Sequence, residues 1–80
     1  MRGYIGVDVG SVSTNLVLIG DDDVFIDSIY LRTRGNPIEA VKDGLRMLRT
    51  KHSEFEVLGA GATGSGRKLA GVIVGADIVK

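Results

Sequence analysis

Cysteine and tryptophan are absent from this chain, and its 80 residues include one proline, two tyrosines and two phenylalanines. Without cysteine, the chain can form no disulfide and no thiolate metal site, which suits a cytoplasmic protein. Ten basic residues balance ten acidic ones, and this balance argues against nucleic acid or an anionic membrane as a partner. The sequence has no recognisable signal peptide and no apolar run of membrane-spanning length. We therefore predict a cytoplasmic protein with an aliphatic core.

The glycine-punctuated stretch 4–14 is the part of the sequence around which the rest is organised. Apolar residues alternate there with small or polar ones, which predicts a strand that carries Asp8 on an otherwise small, open face. Gly10 then allows a sharp turn, into which Ser11, Ser13 and Thr14 bring hydroxyl groups and main-chain N–H donors. Such a turn can hold phosphate oxygens, and Asp8 is close enough to attract a hydrated metal ion.

Two further apolar stretches, 15–19 and 24–31, predict strands that form an antiparallel meander with the first. Between them, Gly20 and three consecutive aspartates (21–23) indicate a hairpin turn. A calcium-binding loop is the less favoured alternative, because adjacent carboxylates at a hairpin tip diverge and the other oxygen ligands are missing.

A helix is predicted to begin at Pro37 and to end near Lys51. Asn36 can cap this helix, Pro37 suits the first helical position, and Glu39 can reach back to the cap. The apolar stripe that should face the sheet consists of Ile38, Val41, Leu45 and Leu48.

Two residues of this region bear on packing and charge. Gly44 costs roughly 1 kcal/mol in a helix relative to alanine, which indicates that the helix backbone lies close to a neighbour. We interpret His52 as a solvated residue favoured by the helix dipole rather than as a proton carrier.

A fourth strand is predicted at 55–58, followed by a glycine-rich loop (59–68) and a second helix with an apolar face (69–76). Residues 59–64 match the dinucleotide fingerprint G-x-G-x-x-G, but a meander and a helix precede them. Residues 61–68 nearly match a P-loop, with Arg67 at the lysine position and Lys68 at the hydroxyl position. A tight connection whose glycines serve packing is one open interpretation. The other is an anion site at a helix N-terminus, formed by Gly64, Ser65, Gly66 and Arg67.

The predicted order of three strands, helix, strand and helix, with an Asp-x-Gly-Ser-x-Ser/Thr loop in the first hairpin, resembles the ribonuclease-H-like half-domain of the actin, sugar kinase and heat-shock ATPase superfamily. Residues 5–14, 32–37 and 61–77 look more specifically like the ATPase activators of 2-hydroxyacyl-CoA dehydratases and the related benzoyl-CoA reductase ATPase subunits. This resemblance covers nearly all 80 residues. The segment 63–67 is fairly specific for that family, whereas the 8–14 loop identifies only the superfamily.

The resemblance implies an α/β fold of order βββαβα with a mixed sheet, in which residues 1–80 are an incomplete N-terminal portion of an actin-like ATPase domain. It also implies a cytoplasmic homodimer that binds ATP or ADP with magnesium and holds one [4Fe-4S] cluster between its subunits. ATP hydrolysis would then drive electron transfer to a dehydratase or reductase. Asp8 would be the catalytic residue, holding magnesium through water. The β- and γ-phosphates would be bound by Gly10, Ser11, Val12, Ser13 and Thr14.

Two departures from the family pattern affect these expectations. Asn15 stands where the family usually has a lysine, and a neutral amide at this phosphate-binding position cannot supply that charge. The cluster cysteines and the C-terminal half that closes over the nucleotide are not in this sequence, so the chain alone is expected to be neither a complete ATPase nor an electron carrier. A stand-alone ribonuclease-H-like binding or assembly module with a structural Asp8 is the alternative. A dinucleotide-binding oxidoreductase fragment, based on residues 59–64, is a third hypothesis.

Overall fold

Four strands and one helix make up residues 1–64, which are the residues that the computed structural model describes. The elements are β1 (Arg2–Val9), β2 (Ser13–Gly20), β3 (Phe25–Arg32), α1 (Pro37–Lys51) and β4 (Glu56–Gly64). The strands form one mixed sheet of order β3-β2-β1-β4, in which the first three are antiparallel neighbours and β4 is parallel to β1. This confirms the predicted α/β fold with a three-strand meander. The second helix predicted at 69–76 lies outside the described residues.

Strand β4 is longer than the sequence predicted. It continues from Glu56 to Gly64 in a parallel ladder with β1. The expected glycine-rich loop (59–68) is therefore wrong at residues 59–64, and the rest of it lies outside the described residues. The dinucleotide fingerprint therefore falls in extended chain instead of the tight turn that such a site requires. Pairing with β1 outweighs the low strand propensity of glycine, because strand propensity depends strongly on tertiary context.

Helix α1 packs on one face of the sheet and closes a single aliphatic core. Apolar side chains of β1, β2 and β3 face the helix, and the helix contributes Ala40, Val41, Leu45 and Leu48. The predicted stripe is confirmed except at Ile38, which is 36% exposed in the first turn.

The backbone of α1 lies directly against β2 at Gly44. A Cβ atom added at Gly44 would lie 2.5 Å from Leu16 Cδ1 and 3.0 Å from Cδ2, both well inside van der Waals contact. Leu16 is itself only 1% exposed. The expectation that Gly44 marks a close approach is confirmed.

The start of α1 is capped as predicted, with one difference. The Asn36 side chain accepts a hydrogen bond from the Glu39 N–H (3.3 Å), which satisfies one of the free donors of the first turn. The Asn36 N–H, however, donates to the Thr33 carbonyl (2.9 Å). Because the Asn36 N–H already has this partner, the expected hydrogen bond from the Glu39 side chain back to the cap is not needed.

The end of α1 is tied to β3 through Asp27. His52 Nε2 lies 2.9 Å and Lys51 Nζ 3.0 Å from Asp27 Oδ2. The hydrogen bond with His52, followed by those from Lys51 and the Ser28 backbone, lowers the pKa of Asp27 from 3.8 to about 2. His52 is half-buried, so its interpretation as a solvated residue was wrong. The reason is that β3 places the Asp27 carboxylate on the side of the sheet where the helix ends, within hydrogen-bond distance of His52.

The three aspartates at 21–23 form the expected hairpin turn. Gly20 N–H donates to the Val24 carbonyl (2.8 Å), and Asp23 has a left-handed φ of 65°. Within residues 1–64, no cluster of three or more acidic, histidine or cysteine side chains is arranged to hold a metal ion. Over the same residues, no helix has both the length and the apolar character needed to cross a membrane.

Candidate phosphate and metal site

Asp8 lies near the end of β1, on the face of the sheet opposite α1. Its direct neighbour across the β1–β2 ladder is Asn15, and the next residue along that row of the sheet is Tyr30 on β3. All three side chains are exposed. The structure therefore places the carboxylate that is expected to bind magnesium and the Asn15 amide side by side on the open face.

A groove runs along this open face beside Asp8. Its volume is about 500 Å³, which is within the usual range of small-molecule sites. The groove stays open because Gly6 on β1 and Gly61 on β4 are paired neighbours without side chains. A Cβ atom at Gly61 would meet nothing within 4 Å. Asn15, Val17 and Ser28 line its other side.

The turn from Gly10 to Ser13 joins β1 to β2 at one end of the groove. Gly10 N–H donates to the Ser13 carbonyl (2.8 Å), which closes the turn. A Cβ atom at Gly10 would lie only 3.1 Å from that same oxygen, so glycine suits the position. Ser11 and Val12 are exposed at the tip, and Ser13 is half-buried.

The hydroxyl of Thr14 does not face this groove. Thr14 is 0% exposed, and its Oγ1 lies 2.9 Å from Oγ1 of Thr33, on the side of the sheet where α1 packs. Thr33 Oγ1 donates to the Gly10 carbonyl (2.8 Å). The single hydroxyl proton of Thr33 is thereby used, so Thr14 must be the donor in the contact between the two hydroxyls.

Thr33 was not identified from the sequence, yet it holds the turn in place. Its N–H donates to the Val12 carbonyl (2.9 Å), and its hydroxyl donates to the Gly10 carbonyl. The described residues contain no cis peptide bond, and in a trans peptide the N–H points opposite to the preceding carbonyl. The N–H groups of Ser11 and Ser13 therefore point away from Thr33. Two N–H groups held in this way can bind an anion.

Of the second predicted anion site, residues 64–67, the structure describes only Gly64. Gly64 is the last residue of β4 and is paired with Val9 of β1, one residue before the Gly10–Ser13 turn. Ser65, Gly66 and Arg67 lie outside the described residues.

Two solved structures have a similar fold. One is the crystal structure of the type II variant of the Ppx/GppA phosphatase of Aquifex aeolicus, with a TM-score of 0.58 and 14% identity over 95% of this chain and 33% of that chain. The other is a crystal structure of an Aquifex aeolicus member of the Ppx/GppA family, with a TM-score of 0.55 and 17% identity over 96% of this chain and 32% of that one. This chain thus spans about a third of the length of either protein. No protein-family model matches the chain, and no curated protein matches it.

These comparisons, together with the sheet order, identify the fold. The mixed four-stranded sheet of order β3-β2-β1-β4 is consistent with the fold of a ribonuclease-H-like or actin-like ATPase half-domain. At this level of sequence identity the likeness concerns the fold alone.

Proposed function

We propose that this chain is the phosphate- and magnesium-binding part of an actin-like ATPase domain, with Mg-ATP or Mg-ADP as its ligand. The observation that carries the proposal is the geometry of the Gly10–Ser13 turn. The Gly10 and Val12 carbonyls of this turn are bound to Thr33, and the Ser11 and Ser13 N–H groups point away from Thr33. The Asp8 carboxylate lies two residues before the turn on the open face.

The residues fit a hydrated magnesium ion bound together with phosphates. Magnesium keeps several waters and uses one or two carboxylates plus substrate phosphate oxygens, and Asp8 supplies one exposed carboxylate at the end of the groove. The ion would neutralise charge on the β- and γ-phosphates. The chain's own contribution is to position those phosphates by N–H donors of the turn and by the exposed Ser11 hydroxyl.

Within this class, we propose that the whole protein is the ATP-dependent activator of a 2-hydroxyacyl-CoA dehydratase or of a related benzoyl-CoA reductase. The support is the resemblance of residues 5–14, 32–37 and 61–77 to that family. In that role the protein would be a homodimer, and a C-terminal half would supply the adenine contacts and the cysteine ligands of a [4Fe-4S] cluster. This chain has no cysteine and would contribute only the residues that bind the phosphates and magnesium.

A second candidate function is favoured by the two similar structures, which are described as Ppx/GppA phosphatases. In this case the same turn would hold the phosphate groups of a substrate that need not be a nucleotide. A third candidate, a binding or assembly module without ATPase activity, is compatible with Asn15, which leaves the phosphate site without the family's lysine charge.

Isothermal titration of Mg-ATP and Mg-ADP into the 80-residue chain tests the proposal. The informative variant is Asp8→Asn, which removes the charge and keeps the shape. Glu54→Gln makes the matched change at an exposed residue of the turn after α1. We expect saturable, magnesium-dependent binding that is lost in Asp8→Asn and kept in Glu54→Gln.

Inorganic triphosphate, titrated in parallel, shows whether this chain contacts the nucleoside. The proposed activator takes its adenine contacts from a C-terminal half, so triphosphate should bind to this chain about as tightly as ATP, and markedly tighter binding of ATP would contradict that division of contacts. Failure of the wild-type chain to bind either ligand at millimolar concentration would contradict the proposed site and favour the structural module.

A further inference from the structure

Thr33 occupies a position that the strand pattern alone does not explain. It is the first residue after β3, in the short connection to α1, and it is a polar residue only 3% exposed. A buried hydroxyl is costly unless it is hydrogen-bonded. The partners of Thr33 therefore indicate why it is buried there.

Those partners are two carbonyls of the candidate phosphate-binding turn, those of Gly10 and Val12. The Thr33 hydroxyl donates to the Gly10 carbonyl at 2.8 Å, and the Thr33 N–H donates to the Val12 carbonyl at 2.9 Å. The Thr14 hydroxyl donates in turn to the Thr33 hydroxyl at 2.9 Å. Such a chain of hydroxyl donors strengthens each bond by polarising the next one.

The connection that carries Thr33 is itself held at its other end. The Thr33 carbonyl accepts the Asn36 N–H at 2.9 Å, and the intervening Arg34 and Gly35 both have left-handed φ values, 54° and 68°. Thr33 is consequently fixed by the cap of α1 on one side and by β2 on the other. The turn is anchored to the helix layer rather than to its own strands alone.

We propose that Thr33 is a positioning residue of the phosphate site: it binds the Gly10 and Val12 carbonyls, so that the N–H groups of Ser11 and Ser13, which point away from Thr33, are available to phosphate oxygens. This inference rests on the proposed function, because it assumes that the turn binds phosphate. Thr33 itself is only 3% exposed, so it would act through the turn and not by contact with the ligand.

The test compares Thr33→Val with Thr33→Ser. Valine keeps the shape and the N–H but removes the hydroxyl, whereas serine restores the hydroxyl. Thr50→Val, at an exposed position of α1, is the matched control. Each chain is titrated with Mg-ATP, and hydrogen exchange of the Gly10 amide, which closes the turn, is followed by NMR.

We expect Thr33→Val to raise the Kd for Mg-ATP about tenfold, the effect of losing one buried hydrogen bond that fixes the donors. Exchange of the Gly10 amide should accelerate in the same variant, and Thr33→Ser should restore both quantities to within about threefold of the wild type. Far-UV circular dichroism should be unchanged, so that unfolding cannot explain the loss.

The outcomes separate this inference from the proposed function. Binding of Mg-ATP by Thr33→Val as tight as that of the wild type would overturn the positioning role and leave the phosphate site intact. Equal weakening in Thr33→Val and Thr33→Ser would also overturn it, because the hydroxyl would then not be the group that matters. Absence of binding in the wild-type chain would overturn both.

Discussion

The contact between Gly44 and Leu16 allows a sharp test of how the helix packs on the sheet. Gly44→Ala has two opposing effects. Replacing glycine in a helix interior stabilises by roughly 1 kcal/mol, but the new methyl group would lie 2.5 Å from Leu16 Cδ1 and 3.0 Å from Cδ2. Overpacking of a core typically costs about 1–3 kcal/mol. Because Leu16 is only 1% exposed and cannot swing away, we expect a net loss of about 1 kcal/mol.

The partner change Leu16→Val removes the atoms that the new methyl group would meet. On its own it deletes about one buried methylene, which costs about 1 kcal/mol. In the double variant the clash disappears, the methyl group added to the helix fills the vacated space, and the helix keeps its propensity gain. The double variant should therefore be about as stable as the wild type. Independent effects would instead sum to a loss of about 2 kcal/mol, so the coupling free energy is expected to be about 2 kcal/mol.

Urea unfolding of the four chains of this cycle, followed by far-UV circular dichroism because the chain has no tryptophan, measures that coupling. Equal slopes of the unfolding free energy against urea would show that the variants unfold from comparable states. Additivity within about 0.5 kcal/mol, or stabilisation by Gly44→Ala alone, would show that α1 does not contact β2 at this residue.

Three further predictions concern charge, pH and the extended β4. Asn15→Lys should lower the Kd for Mg-ATP about tenfold by adding a charge-assisted hydrogen bond to phosphate, whereas Thr50→Lys on the outer face of α1 should leave it unchanged; titration calorimetry compares them. The hydrogen bond with His52 keeps the pKa of Asp27 at about 2 in the folded chain, below its ordinary 3.8. Stability from this carboxylate is thus present above pH 4 and lost as the pH falls toward 2, and Asp27→Asn should flatten urea stability over that window. Gly61→Ala should change the unfolding free energy by less than about 0.5 kcal/mol, since nothing lies within 4 Å of the added Cβ; a loss well above that would argue against a strand at Gly61.

Local patterns in the sequence were sufficient where a feature depends on neighbouring residues. The three antiparallel strands, the turn at 21–23 and the cap at Asn36 were all predicted, because alternation, turn residues and capping residues act over a few positions. Asp8 was likewise placed on an open face by strand alternation alone.

Features that depend on distant partners were not predicted. The continuation of β4 through Gly59–Gly64 exists because β1 offers a parallel edge, and glycine content alone favours a loop. The half-buried state of His52 depends on Asp27, 25 residues earlier in the chain. Thr33 lies 23 residues from the carbonyl that its hydroxyl binds, and a single threonine before an Arg-Gly pair gives no local signal of that contact.

Strand alternation also decides which residues of the serine- and threonine-rich stretch can reach a phosphate. Thr14 faces the helix layer and donates to Thr33, whereas Asn15 faces the open side opposite Asp8. The hydroxyl of Thr14 therefore supports the turn, and the side chain that can change the charge beside the groove is that of Asn15. A lysine at this position would extend along the open face from the same register as Asp8. An Asn15→Lys change is therefore expected to act on ligand binding and not on the fold, because an exposed residue on that face has no part in the core that α1 closes.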